Sequence, residues 1–242
     1  MIMQAKGKIF LAEERGEEVK SDVQTYFTFN SGNYKNPHKN AFGELYALND
    51  YWLNGDASLT IYAEGGDYVI LIPVSGAISY SDRSMNNAIV VAGQAQLIFV
   101  NKNTPIEIRN PFKADAVNFL EILIRAGRCG LEKIVFLSTY DDVNRNRNKL
   151  IPVFPELSNN ASVPFSIHIG KFYGRGEAAY TLKKSKGFFG FVLEGAFEVA
   201  GRLLHARDGL ALWNIYNVEA EALSNEALLL VIEMDSGNPI LL

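Results

Sequence analysis

The sequence predicts an all-β chain made of two tandem jelly-roll barrels, and three observations carry that prediction. Short apolar runs recur along the chain, separated by Gly, Asp and Asn, the pattern of antiparallel strands joined by tight reversals. One unit occurs twice: Gly76-Ala77 and Gly195-Ala196 each follow a buried run and lie 119 residues apart, close to half of the 242 residues. Between the copies, at Ser138, the composition turns polar and then rich in proline. These features give an N-terminal barrel over 1–137, a connector over 138–164 and a C-terminal barrel over 165–242.

The N-terminal stretch predicts an edge strand at Lys8 to Leu11, followed by a charged, solvated loop around Glu13 to Glu18. Tyr26 to Asn30 alternates aromatics on one face, and Gly32-Asn33 suits a turn needing unusual backbone angles. Trp52 and Leu53 are expected to pack into the first barrel, and Asn54-Gly55-Asp56 turns the chain into a strand from Leu59 to Ala63. Tyr68 to Val74, Ile89 to Ala92, Leu97 to Val100 and Val117 to Ile124 are the next strands. Glu121 lies in the last of these, and the pattern leaves open whether it faces water or the interior.

Ser138 to Lys149 reads as a solvated connector, its Arg145, Arg147 and Lys149 being surface charges before anything else. In the second copy Phe165, Ile167 and Ile169 alternate with Ser166, His168 and Gly170, which puts His168 opposite the apolar row. Phe188 to Leu193, a Glu194-Gly195 turn, Ala196 to Ala200 and Leu210 to Trp213 follow. The long apolar strand Ala227 to Met234 closes the barrel, and the tail from Gly237 is peripheral.

Composition narrows the function classes. A formal net charge of -4 gives no global attraction toward nucleic acid or an anionic membrane, so neither is an expected partner. Cys129 is the only cysteine, which excludes an intramolecular disulfide, and no apolar run is long enough to span a bilayer. The N-terminus has no signal-peptide core, and a cytoplasmic protein is expected. His38, His168 and His205 are too scattered for a catalytic cluster, and the phosphate-binding, nucleophile-elbow and zinc-protease motifs are missing.

The most specific stretch is Tyr26-Phe27-Thr28-Phe29, Gly32-Asn33-Tyr34, Phe42-Gly43-Glu44-Leu45 and Asn49-Asp50. It resembles the opening of the pirin-like, or quercetinase-like, bicupins, and Arg147-Asn148-Lys149-Leu150 resembles their entry into the second barrel. The resemblance implies two cupin barrels and a metal, iron or another divalent ion, held in the first by an H-x-H pair, a Glu and a third His. Alternate strand residues share a side, which is why that pair can converge on an ion. Here the pair falls on Tyr62 and Glu64, the Glu on Tyr68 and the third His on Ile106, with no histidine between His38 and His168. The matching positions of the second barrel are Thr181, Lys183 and Gly187.

The reading is therefore a bicupin without the usual metal site and with no cofactor. It binds a small molecule at Tyr62, Glu64, Tyr68 and Ile106, or it binds a protein partner. The alternatives are a metal-dependent quercetin 2,3-dioxygenase-like enzyme, which the resemblance implies, and a metal-free acid-base site on Glu64 with Tyr62 or Tyr68. A weak oxygen-ligand site on Glu64 and Glu107 is a lesser variant.

Overall fold

The computed structural model describes residues 5–63, 66–82, 87–100, 105–126, 135–158, 163–183 and 186–235. These are almost entirely antiparallel strands, arranged in two compact units. Each unit is one large and one small sheet around an apolar core, the two-layer solution for sheets with one apolar face.

The N-terminal barrel comprises Gly16–Ala41 and Leu45–Thr139. Its seven-stranded sheet runs in the order Val135–Thr139, Gln94–Val100, Asp67–Ser75, Val117–Arg125, Leu45–Leu53, Val23–Phe27 and Gly16–Lys20. Facing it are Ser58–Tyr62, Pro105–Arg109, Ala77–Asp82 and Asn87–Val91. Between the sheets lies a core that includes Val69, Leu71, Ile78, Ile98, Ile106, Ile108, Val117 and Phe119, all fully buried or nearly so. Leu53 joins this core, but Trp52 does not: it is 41% exposed, because its neighbour in the strand takes the inward side.

The C-terminal barrel contains the described residues up to Arg15, the short piece Phe42–Glu44 and the chain from Tyr140 onward. Its larger sheet orders Lys6–Phe10, Gly209–Trp213, Lys186–Glu194, Ala227–Asp235, Phe165–Phe172 and Ile151–Pro152. The smaller sheet is Glu177–Thr181, Asn217–Ala222, Ala196–Val199 and Arg202–His205. The repeat seen in the sequence has its structural counterpart in Gly76 and Gly195, which turn at φ angles of 74° and 79°. A Cβ at Gly195 would clash with Ser224 Oγ, so this turn needs glycine for both conformation and space.

Three expectations are corrected. The first strand pairs in register with Gly209–Trp213, from Lys6 opposite Trp213 to Phe10 opposite Gly209, so it completes the C-terminal barrel and not the N-terminal one. Ala12 N–H donates to Asp208 Oδ1 at 2.7 Å, and the Phe42 ring lies 6.3 Å from both Phe189 and Trp213, fastening two early segments to the same unit. The charged stretch after Glu13 is not all loop, since Gly16–Lys20 is a strand paired with Val23–Phe27. The expected connector is folded into the C-terminal unit: Val153 and Phe154 are buried, and Ile151–Pro152 pairs with Phe165–Phe172. Arg147 there grips Glu226 with both terminal nitrogens at 2.7 and 3.1 Å.

Candidate functional site

Within the N-terminal barrel, Ala47 and Leu53 face the core from one strand, and Val117, Phe119 and Leu123 face it from the neighbouring one. Strand alternation then turns Asn49, Tyr51 and Glu121 inward as well, and Glu121 sits directly opposite Asn49 in the ladder. Asn49 Nδ2 donates to Glu121 Oε2 at 2.7 Å, and the Tyr51 hydroxyl donates to the same oxygen at 3.0 Å. The Tyr51 ring is held by stacking on Phe119, centroids 5.0 Å apart. Asn49 Oδ1 is buried and has no hydrogen-bond partner among the described residues, an arrangement that is costly unless something else supplies a donor.

Burial dominates the electrostatics. It pushes the Glu121 carboxyl up from 4.5 to about 7, against the opposing pull of the Asn49 and Tyr51 donors. The Tyr51 phenol is pushed well above its ordinary value, first by burial and then by the neighbouring Glu121 charge. Near neutral pH this barrel therefore holds a carboxyl group that can give up or take a proton, flanked by a phenol and an orphaned amide oxygen. Chemically, the trio can bind a polar group of a ligand or move one proton.

The residues expected from the sequence are not brought together. Tyr62 is 67% exposed and points outward, while Ile61 beside it is in the core. Tyr68 is fully buried but on the side of its strand opposite Val69 and Leu71, against the Phe99 ring at 5.4 Å. Ile106 is inside the barrel, as expected, within the apolar core. Glu64 and Cys129 lie outside the described residues, and Glu107 is exposed.

The physical reason is strand parity. Ser58 and Thr60 already mark the polar side of Ser58–Tyr62, and Tyr62 continues it, so counting from Gly76 lands on the wrong face by one residue. The residues that do meet left a fainter signal, an acidic Glu121 flanked by Phe119-Leu120 and Ile122-Leu123-Ile124 in the same strand. Of the histidines, His38 and His205 are exposed and His168 faces the interior of the C-terminal barrel.

Comparison with known proteins agrees with this architecture. Residues 164–234 match the family model of the quercetinase C-terminal cupin domain. The chain superposes on YhhW from Escherichia coli with a TM-score of 0.82 at 17% identity, covering 95% of this chain and 97% of that one. The chain has a pirin-like bicupin fold. YhhW has also been solved as a bacterial pirin in complex with nickel(II), matched here with a TM-score of 0.81, 17% identity and coverage of 95% and 99%. A quercetin 2,3-dioxygenase of Escherichia coli K12 is 19% identical over 219 residues, 90% of this chain and 95% of that protein.

Among the described residues, the positions that the resemblance assigns to a metal offer no convergent donor set for an ion such as the nickel(II) bound by YhhW. Ile106 has no donor atom, Tyr62 points to solvent, and Tyr68 is turned away from the barrel core. Among the described residues no three of His, Cys, Asp and Glu come together. Glu121 is a single inward carboxyl surrounded by an amide and a phenol, a set that would hold a first-row metal weakly.

Proposed function

We propose that this pirin-like bicupin binds a small organic molecule inside its N-terminal barrel, without a resident metal cofactor. The observation that supports the reading is the Glu121–Asn49–Tyr51 trio, an inward polar group in an apolar core with Asn49 Oδ1 still lacking a donor. A ligand hydroxyl or N–H would satisfy that oxygen, and the apolar core would cover the rest of the molecule. Glu121 and Tyr51 orient the ligand, and Tyr62, Tyr68 and Ile106 act only as scaffold.

The test is native mass spectrometry and metal analysis of the purified full chain, with quercetin added as the probe. A one-to-one quercetin adduct that Glu121→Leu abolishes, with metal far below one equivalent, is the expected result. Stoichiometric iron, nickel or zinc would overturn the metal-free part, and an adduct unchanged by Glu121→Leu would overturn the site.

One finding favours a second reading, a metal-dependent quercetin 2,3-dioxygenase-like oxidoreductase: the Escherichia coli relative carrying that name aligns over 90% of this chain. Oxygen uptake with quercetin that depends on an added divalent metal would establish it. No uptake with iron, nickel, cobalt, copper or manganese would remove it.

A further inference from the structure

The C-terminal barrel repeats the inward carboxyl with different neighbours. Ala227, Leu229 and Val231 face its core, so Glu233, next on the same side, faces inward too and is buried. Ser166 lies directly opposite Glu233 in the ladder and His168 opposite Val231, matching the pairing of Asn49 with Glu121 and of Tyr51 with Phe119 in the first barrel. Tyr180 donates its hydroxyl to Glu233 Oε2 at 2.6 Å, and the Lys183 backbone N–H donates to Oε1 at 3.1 Å. Ser166 Oγ lies 3.2 Å from the Tyr180 hydroxyl. Because the Tyr180 proton is committed to Glu233, the Ser166 hydroxyl is the donor in that contact, and its oxygen keeps lone pairs to offer.

The His168 ring meets Tyr180 edge-on at 5.0 Å, and its Nδ1 is buried with no hydrogen-bond partner among the described residues. Each barrel thus leaves one orphaned polar atom beside its inward glutamate: Asn49 Oδ1 in the first and His168 Nδ1 in the second. The two atoms occupy different ladder positions, Asn49 opposite Glu121 and His168 opposite Val231, but each is a buried group whose missing partner costs stability, a cost that a ligand can offset.

We propose that the C-terminal barrel holds a second ligand site, formed by His168 and Ser166 and backed by Tyr180 and Glu233, for a small neutral hydroxyl-bearing molecule such as a polyol. A hydroxyl group both donates and accepts, so it pairs with His168 Nδ1 in either tautomer of the neutral imidazole. A second hydroxyl of the same polyol donates to Ser166 Oγ. A neutral ligand fits best because a cation would approach Lys183 and an anion would approach Glu233. This site is independent of the one assigned to the N-terminal barrel, and either can fail alone.

The test is a titration of the 15N-labelled full chain with myo-inositol, reading the imidazole nitrogens by NMR, with exposed His38 and His205 as internal references. A saturable shift of His168 Nδ1 alone is expected, weakened about tenfold or more in Ser166→Ala, as the loss of one good hydrogen bond implies. His168→Ala should weaken binding similarly by calorimetry. Ser166→Ala keeps the imidazole readout should the histidine variant not fold. No movement of Nδ1, or a shift of equal affinity in Ser166→Ala, would overturn the site. Tighter binding of ethanolamine or glycolate than of myo-inositol would overturn its neutral character.

Discussion

In the N-terminal barrel, Glu121 receives one side-chain amide and one phenol on a single oxygen, while in the C-terminal barrel Glu233 has a donor on each oxygen, one of them a backbone N–H. The ladder position is the same, but the local solvation is not. Glu121, bonded on a single oxygen deep in an apolar core, favours the proton. The comparison teaches that a repeated backbone position does not carry a repeated chemistry; the strands opposite decide it.

The largest expected effect tests which residue of each first small-sheet strand faces inward. Ile61→Ala should destabilise the chain by about 3 kcal/mol, the usual cost of truncating a buried Ile, and Tyr62→Ala by less than about 0.5 kcal/mol. Urea unfolding of both variants measures the contrast, and equal losses would mean that Tyr62 is inside after all.

Next comes pH. The native state holds the Glu121 proton more tightly than the unfolded chain, so stability falls as pH rises between 4.5 and about 7 and levels off above. Over that window the loss is about 3 kcal/mol, from about 1.4 kcal/mol per unit of pKa. Glu121→Gln should abolish this component, so the variant gains on the natural chain at pH 8 relative to pH 4. Unfolding curves across this range check it, and parallel profiles for the two proteins would contradict the buried carboxyl.

A somewhat smaller effect separates the barrels. Tyr180→Phe removes the Oε2 donor of Glu233 and should cost about 2 kcal/mol, as leaving a buried acceptor short of a donor does. A thermal melt at pH 8 reads it, and a neutral outcome would show that Glu233 is solvated in another way.

The smallest effect compares surface ion pairs. Arg147 holds Glu226 in a two-pronged contact with Lys171 adding a second cation, whereas Arg109 reaches Asp56 through one nitrogen at 3.2 Å with both side chains more than half exposed. Arg147→Ala should lower the melting temperature slightly and less so at high salt, and Arg109→Ala should leave it unchanged.

The strand pattern was legible because apolar alternation and glycine turns are local properties. Phe188 to Leu193 and Ala227 to Met234 became Lys186–Glu194 and Ala227–Asp235 with only the ends extended. The site was less legible. Family spacing counted from Gly76 identifies equivalent positions but not which way a strand has turned by the time it reaches them, and one residue of parity moved Tyr62 outside. Glu121 was visible as a charge in an apolar run, yet its direction depends on Asn49, which is 72 residues away in the chain. Glu233, in the apolar run that ends the second barrel, carries the same signal.

The amino-acid order alone determined two β units, their turns and a stretch without histidine between His38 and His168, because each is written in neighbouring residues. Only the folded chain decided that Lys6–Phe10 completes the distant barrel, that Glu121 meets Asn49 and Tyr51, and that Glu233 meets Tyr180. Those outcomes depend on sheet register and on long-range hydrogen bonds between strands, and no local pattern encodes which strand will lie opposite.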